Sequence, residues 1–258
     1  MAAAAVDVTS FLSSSAASKE AFKTANLLKS LSVNALISGE HGTGKRSLAR
    51  YILPEASLFD ALDYDEIISA LPSCNSIIIS NINNSPNAKQ LFEHIEHYKV
   101  RIIATSCDAE KNRYYDECFS IKIPLPSLKV RPEDVVMLQK LFIKEAKATF
   151  GIDREFDFLK HEADISKNAY SLRRQIMMNY LLDDISESEL MGITENFLID
   201  KLGSNNDYRN FLHLFEVPLI QAGIKRFKSQ LQLSERLGLN RNTLRKKISE
   251  NEPFGLKT

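Results

Sequence analysis

The chain lacks long apolar runs, net charge and paired cysteines. None of its stretches reaches the roughly 18 consecutive apolar residues that a membrane-spanning helix needs, which excludes a transmembrane protein. Three cysteines without motif spacing exclude a disulfide-stapled miniprotein and favour a reducing cytoplasm. What is present is 258 residues, 44% of them hydrophobic and 26% charged. This composition predicts a folded chain of one or two domains.

The absence of net charge conceals an uneven distribution. Residues 218–258 contain nine basic and three acidic side chains, which gives this segment a charge of +6 and leaves −6 on the first 217 residues. A polyanion is attracted to such a C-terminal end and repelled by the rest. Charge alone leaves a solvated basic face as an equally good interpretation.

Apolar periodicity divides the chain into an α/β half and a helical half. The predicted strands are 33–37, 76–80, 100–105 and 119–125. The predicted helices are 19–31, 47–53 and 87–98 and, beyond residue 126, one that opens at Pro132 and others near 155–162, 168–183, 187–202, 207–228, 230–237 and 241–249. Strands that alternate with helices predict βαβ units and a mainly parallel sheet.

A phosphate-binding loop is predicted between the first strand and the next helix. Gly39-Glu-His-Gly-Thr-Gly-Lys45 has the GxxxxGK pattern in the expected strand–loop–helix context. Backbone N–H groups would surround phosphate oxygens, with Lys45 as a mobile charge. The predicted nucleotide-binding residues are Gly39, Glu40, Gly42, Thr43, Gly44, Lys45, Arg46 and Ser47. A glycine-rich turn without a ligand is the alternative.

The groups that nucleotide hydrolysis requires are not evident around this loop. Arg46 stands where the general motif has Ser or Thr to hold Mg²⁺, and the strand 76–80 ends in the neutral Ser80-Asn81. We therefore expect ATP or ADP as the ligand, without Mg²⁺, and assign no catalytic residue and no metal site. An ATP-hydrolysing enzyme is the alternative, with its acid supplied by Asp60, Asp63 or Asp65.

The C-terminal segment has the layout of a helix-turn-helix. Leu233 and Leu237 would bury the first helix, Gly238 permits a positive φ at the turn, and Leu244 and Ile248 anchor the second helix. The predicted DNA-binding residues are Asn240, Arg241, Asn242, Thr243, Arg245, Lys246 and Lys247. We expect Arg241, Asn242, Arg245 and Lys246 at base edges, and Asn240 and Lys247 at phosphates. A solvated amphipathic helix is the alternative.

Together the two motifs resemble the NtrC-like enhancer-binding proteins, which activate sigma-54 RNA polymerase. The segments that carry the resemblance are Gly39–Lys45, Arg101-Ile-Ile-Ala, Pro124-Leu-Pro-Ser-Leu-Lys-Val-Arg-Pro-Glu-Asp-Val135, Asn168-Ala-Tyr-Ser-Leu172 and the Fis-type Leu237–Ile248. The resemblance spans roughly residues 27–254. It implies an α/β fold with a shortened AAA+ P-loop core and a helical lid, followed by an all-α Fis-type domain that dimerises through residues 207–228.

The departures from that family concern hydrolysis and polymerase contact. Ser80-Asn81 replaces its Asp-Glu, Cys107 stands at the sensor-one position, and Asp116-Glu117 stands at the arginine finger. Tyr170 stands at the sensor-two arginine, for which Arg173 is a nearby substitute. The Gly-Ala-Phe-Thr-Gly-Ala loop that grips sigma-54 does not occur in the sequence, so we expect no sigma-54 contact.

The sequence thus predicts a cytoplasmic, sequence-specific regulator of transcription that binds double-stranded DNA as a homodimer, with no membrane contact. The predicted parts are a flexible tail over 1–17, a P-loop core over 18–127, a helical lid and connector over 128–204, and a Fis-type domain over 205–258. The alternatives are the ATP-hydrolysing enzyme and an interaction protein that forms mixed dimers with an intact relative.

Overall fold

A computed structural model describes residues 11–107, 117–151, 162–182, 185–227 and 229–256. The chain divides into two compact units, Met1–Asp184 and Ile185–Thr258. The first unit contains α1 (Ala16–Ser30), β1 (Ala35–Ser38), α2 (Lys45–Ile52), β2 (Ser57–Asp60), α3 (Tyr64–Ala70), β3 (Ser76–Ser80), α4 (Ala88–Tyr98), β4 (Arg101–Ser106), β5 (Ile121–Pro124), α5 (Pro132–Phe150) and α6 (Ala169–Leu182). The second contains α7 (Glu187–Ile199), α8 (Asp207–Phe211), α9 (His213–Arg226), α10 (Gln230–Arg236) and α11 (Arg241–Asn251).

The first unit is built on a parallel sheet with strand order β2-β3-β4-β1-β5. Alternate side chains of a strand point to opposite faces. Ile77 and Ile79 of β3 therefore join an apolar cluster with α4, whereas Ile78 joins a cluster with α1 and α2. Both faces are covered, as parallel sheets require. The predicted parallel α/β core is confirmed.

One strand of this sheet was not predicted from the sequence. Strand β2 contains four residues at the edge of the sheet, and its Leu58 and Phe59 are only half-buried. A short edge strand carries a weak apolar signal, which explains the omission. The other predicted strands are present, with ends that differ from the prediction by at most two residues.

The start of the described chain differs from the predicted tail over 1–17. Phe11 is buried in the cluster that α1 and α2 share, and Ser15 caps the N-terminus of α1 with its side chain. Residues 11–17 therefore pack within the first unit, since an apolar ring and a helix cap fix them there. Residues 1–10 of the predicted tail and 155–161 of the predicted helix near 155–162 lie outside the described residues.

The predicted lid and connector, 128–204, is divided between the two units. Helices α5 and α6 share an apolar cluster around Phe142, Leu172 and Tyr180. This cluster contains no residue of α7. Helix α7 belongs to the second unit. The two compact units meet at 184/185, within the segment that the sequence analysis assigned to the lid and connector.

The second unit is helical over its described residues and has its own small core. Ile220 of α9, Leu233 of α10 and Ile248 of α11 belong to one apolar cluster. Gly223 permits the close packing of α9 on α10, because a Cβ there would lie 2.3 Å from Leu233 Cδ1. Across the described parts of the chain, no helix has the length and apolar character needed to cross a membrane.

Candidate nucleotide site and nucleic-acid interface

The predicted phosphate-binding loop lies between β1 and α2, in the first unit. Gly39 and Gly42 have φ angles of +152° and +76°, which side-chain-bearing residues rarely adopt. A Cβ at Gly39 would lie 2.2 Å from Leu125 O, and one at Gly42 would lie 2.6 Å from Lys167 O. Both glycines are therefore required by the backbone conformation and by the close approach of neighbouring chain.

The side chain of Lys45 is folded back across this loop. Its ammonium donates hydrogen bonds to Gly39 O at 2.6 Å and to Glu40 O at 2.7 Å. The residue is buried, and its Nζ lies 3.6 Å from the Sγ atom of Cys107. The charge is thus held at the centre of the loop, where it can approach a phosphate.

The residues before α6 hold the loop from the side of the lid. Asn168 is buried with a φ of +53°, and its amide nitrogen donates to Glu40 Oε2 at 3.0 Å and to His41 O at 2.8 Å. Its Oδ1 accepts from Leu128 N at 2.7 Å, and Ala169 N donates to Gly42 O at 3.1 Å. The sequence analysis assigned no role to Asn168. In the structure its side chain connects the loop to the residues before α6 and to Leu128.

Arg131 holds the opposite end of the loop. Its guanidinium is fully buried, donates from Nη2 to Thr43 O at 2.9 Å and lies 3.5 Å from the Asp134 carboxylate. Burial lowers the pKa of Arg131, and the charge of Asp134 opposes that change. A buried charge of this kind is tolerated because it is paired and hydrogen-bonded.

Asp134 also joins α5 to the start of α1. Its carboxylate accepts hydrogen bonds from the backbone N–H groups of Ser14 and Ser15 and from the hydroxyls of Ser15 and Ser18, at 2.7–3.0 Å. Burial by itself would raise the pKa of Asp134, but these donors bring it below its ordinary value. The carboxylate is therefore stabilised in its charged form.

A cavity of about 300 Å³ opens beside the loop. Its lining includes residues 41–47 on one side and the apolar side chains of Phe11, Leu128, Leu138 and Phe142 on another. The volume is at the lower end of the range for small-molecule sites. A ligand with a flat apolar part and a phosphate tail matches this division of the lining.

The carboxyl ends of β2 and β3 present few anions to this site. Strand β3 ends in the neutral Ser80, followed by Asn81, as the sequence showed. Asp60 ends β2, and its Oδ2 atom accepts from Asn81 Nδ2 at 2.7 Å and lies 3.4 Å from the Arg46 guanidinium. Of the three acids considered from the sequence, Asp60 lies at a strand end, whereas Asp63 and Asp65 lie at the start of α3.

Mg²⁺, which the fold family implies, does not fit these residues. Arg46 brings a positive charge to the position where a Ser or Thr hydroxyl would be a ligand, and it also contacts Ser80 Oγ at 3.3 Å. Mg²⁺ sites are built from carboxylates and phosphate oxygens. Within the described residues, no three His, Cys, Asp or Glu side chains gather in a way that could hold a metal ion.

The positions aligned with the family's sensors and finger have other partners here. Cys107 Sγ lies 3.5 Å from His41 Nδ1, a contact between residues far apart in the sequence. Arg173 is bound through two hydrogen bonds to Glu145, at 2.5 and 3.0 Å, and this partner raises the pKa of Arg173. Tyr170 is exposed. Asp116, aligned with the arginine finger, lies outside the described residues.

The predicted helix-turn-helix is present in the second unit. Helices α10 and α11 are joined by a turn in which Gly238 has a φ of +64°. Asn240 caps α11, since its Oδ1 accepts from the backbone N–H groups of Asn242 at 2.8 Å and Thr243 at 3.1 Å. Six of the seven predicted DNA-binding residues are exposed: Asn240, Arg241, Asn242, Thr243, Arg245 and Lys246.

Lys247 differs from the other predicted DNA-binding residues. Its ammonium donates to the Glu216 carboxylate on α9, and only 28% of its side chain is exposed. Asn251 donates to the same carboxylate at 3.2 Å. The structure thus places Lys247 in a contact that fastens α11 to α9, because the side chain leaves the helix at the edge of its buried face.

Comparisons with known proteins bear on both parts of the chain. Residues 211–250 match the model of "Bacterial regulatory protein, Fis family". Among curated proteins, none matches the chain in sequence. The structure of NtrX from Brucella abortus in complex with ATP is similar, with a TM-score of 0.55 and 17% identity over 93% of this chain and 68% of that chain. The ADP complex of the same protein is also similar, with a TM-score of 0.56 and 18% identity over 94% of this chain and 69% of that chain.

These likenesses agree with the sheet, the loop and the helix-turn-helix. At such identities the NtrX structures bear on the fold, and the Fis-family match indicates a DNA-binding regulatory protein for the C-terminal part. The predicted fold class is confirmed. The chain thus combines a parallel α/β core with a phosphate-binding loop, of the fold seen in the NtrX structures, and a C-terminal segment that matches the Fis-family model.

Proposed function

We propose that this protein is a sequence-specific transcriptional regulator that binds double-stranded DNA through α11 and carries a nucleotide-binding core that does not hydrolyse its ligand. The observation that carries the proposal is the two-sided character of α11. Arg241 and Arg245 are exposed, whereas Leu244 and Ile248 are buried in the second unit. Such a regulator acts at the chromosome, in the bacterial cytoplasm.

The exposed face of α11 suits the major groove of DNA. The groove admits an α-helix, and arginine and asparagine make paired hydrogen bonds to guanine and adenine, respectively. We assign Arg241, Asn242, Arg245 and Lys246 to base edges, with Thr243 beside them and Asn240 at a phosphate. Lys247 is not assigned to DNA, because it is bound to Glu216.

We propose that two copies of the chain form a dimer through the helices of residues 207–228, and that this dimer binds DNA. Tyr208, Phe215 and Leu219 on these helices are exposed by 80%, 67% and 40%. Helix α7 adds exposed Leu190, Met191, Ile193, Phe197 and Ile199 and has no buried residue. Apolar surfaces of this kind mark association sites. A symmetric dimer would place two recognition helices about 34 Å apart, one turn of DNA.

The core is proposed to bind ATP or ADP in the cavity beside the phosphate loop. The glycine backbone, the central Lys45 and the apolar lining support this, as do the NtrX structures in complex with ATP and with ADP. Hydrolysis lacks support, because Ser80 and Asn81 are neutral and the Asp60 carboxylate is engaged by Arg46 and Asn81. Without the sigma-54-gripping hexapeptide, polymerase remodelling is not proposed.

An ATP-hydrolysing enzyme is the second candidate, and the position of Asp60 favours it. Asp60 ends β2 next to β3, and its carboxylate lies 3.4 Å from the guanidinium of Arg46, the residue that follows Lys45. That role requires the carboxylate to exchange its contacts with Arg46 and Asn81 for a water molecule or a metal ion. Phosphate release therefore separates the two candidates.

The DNA-binding proposal is tested with the whole chain and a pool of genomic duplex fragments. We expect retention of a subset of fragments with a common inverted repeat. The affinity for a retained duplex should fall linearly with salt on logarithmic axes, with a slope of about 0.9 per phosphate contacted. Failure to bind any duplex at low ionic strength would contradict the proposal, whereas retention without sequence preference would limit it to non-specific binding.

A further inference from the structure

Arg46 lies where nucleotide-binding loops of this kind direct a metal ion. The residue occupies the first turn of α2, directly after Lys45, and lines the cavity beside the loop. Its Nη2 atom lies 3.4 Å from Asp60 Oδ2 and 3.3 Å from Ser80 Oγ, at the carboxyl ends of β2 and β3. A permanent positive charge therefore lies between the loop and the two strand ends.

This charge opposes a divalent cation at the same place. A guanidinium cannot be deprotonated in proteins and has no atom that could serve as a metal ligand. It would repel a dication at contact distance. The nearest carboxylate, that of Asp60, is already partly neutralised by Arg46 and by the Asn81 amide. The hydroxyl that the general GxxxxGK[ST] motif offers to Mg²⁺ is thus replaced by the Arg46 guanidinium, and the end of β3 carries the neutral Ser80.

The same charge is suited to phosphate. A guanidinium presents a fork of donors that matches phosphate oxygens, and its charge-assisted hydrogen bonds are among the strongest in proteins. The side chain of Arg46 is 53% exposed, and its ion pair with Asp60 is long. Exposed pairs of this length are weak, so phosphate oxygens can compete for the guanidinium.

We infer that Arg46 takes the place of the divalent cation, so that the loop binds nucleoside di- or triphosphate as the metal-free anion. Lys45 and Arg46 together supply the positive charge that Mg²⁺ supplies elsewhere. Asp60 lowers the affinity of this site for phosphate, because its carboxylate competes with phosphate for the Arg46 guanidinium. The inference rests on the proposed nucleotide binding and adds the ionic form of the ligand.

The test measures ADP and ATP affinity of the whole chain by calorimetry, in excess EDTA and in excess Mg²⁺. We expect the wild-type affinities in the two media to agree within about threefold. Arg46→Ser should weaken binding in EDTA by about tenfold or more and leave binding in Mg²⁺ tighter than in EDTA. Asp60→Asn, which frees the guanidinium, should tighten binding in EDTA. Thermal unfolding checks that each variant is folded.

Two results would overturn the inference and leave nucleotide binding intact. One is wild-type binding that is about tenfold or more tighter in Mg²⁺ than in EDTA. The other is an Arg46→Ser variant that binds metal-free nucleotide as tightly as the wild type. Wild-type protein that binds nucleotide in neither medium would overturn the proposed nucleotide binding as well.

Discussion

Helix α11 carries the side chains that its proposed function requires, whereas the carboxyl ends of β2 and β3 lack side chains that hydrolysis requires. On α11 the outward side chains Arg241 and Arg245 have the chemistry that base edges require. At the strand ends Ser80 and Asn81 lack the charge that hydrolysis requires, although the phosphate loop beside them is complete. Phosphate binding by backbone N–H groups does not require charged side chains at the neighbouring strand ends, whereas hydrolysis does. The proposed function therefore combines a DNA-reading surface on α11 with a core that binds nucleotide without hydrolysing it.

The largest expected effect concerns the buried contact that holds the loop. Arg131→Leu removes the donor to Thr43 O and leaves the buried Asp134 without its ion pair. We expect the free energy of unfolding of the first unit to fall by about 3–5 kcal/mol, measured by urea unfolding followed by circular dichroism. Arg173→Leu breaks a more exposed pair and should cost about 0–1 kcal/mol. Equal losses in the two variants would show that the Arg131 pair does not hold the loop.

The second prediction concerns the recognition helix itself. Arg241→Ala combined with Arg245→Ala should weaken binding to a selected duplex by about 30-fold or more, since each base contact is worth about 1–3 kcal/mol. A mobility-shift titration measures it. The control, Lys19→Ala with Lys23→Ala, removes two exposed charges from α1 and should leave affinity nearly unchanged. Undiminished binding by the arginine variant would remove α11 as the DNA-binding element.

The third prediction separates two neighbouring lysines on α11. Lys247→Met should lower the free energy of unfolding of the second unit by about 1–2 kcal/mol, because it breaks a partly buried charged hydrogen bond. Lys246→Met, at an exposed position, should weaken DNA binding with little change in stability. Paired thermal-unfolding and anisotropy measurements test both. If Lys247→Met instead weakened DNA binding alone, the phosphate contact predicted from the sequence would be correct.

The smallest expected effect is a pH dependence from Asp134. Because its folded-state pKa lies below the ordinary value, its carboxylate stabilises the first unit above the unfolded-state pKa of about 3.9. This stabilisation is lost as the pH falls through the lower, folded-state pKa. The unfolding free-energy difference between wild type and Asp134→Asn should therefore shrink between pH 6 and pH 3. A difference that grows towards acid would contradict the direction of the pKa change.

Local patterns in the sequence were sufficient to predict the loop and the helix-turn-helix. The glycine spacing of residues 39–45 and the spacing of Leu244 and Ile248 each lie within a few turns of chain. The fold class followed from alternating strands and helices, although the short edge strand β2 gave too little signal. These predictions succeeded because backbone conformation and helix period are properties of short segments.

Contacts between distant segments could not be predicted in the same way. Asn168 reaches the loop from more than a hundred residues away, and Arg46 meets Asp60 only when β2 joins the sheet. Lys247 lies at the edge of the buried face of α11, and its partner Glu216 becomes evident only from the packing of α9. Helical spacing identifies the direction of a side chain but not the group that it meets.

The contrast between the two regions is tested most directly by phosphate release from ATP by the whole chain, saturated with a duplex that it binds. The Lys45→Ala variant serves as the background. If the core does not hydrolyse ATP, the wild type should release phosphate no faster than the Lys45→Ala variant while the duplex stays bound. Turnover well above that background, and abolished by Lys45→Ala, would show that the core is a working ATPase.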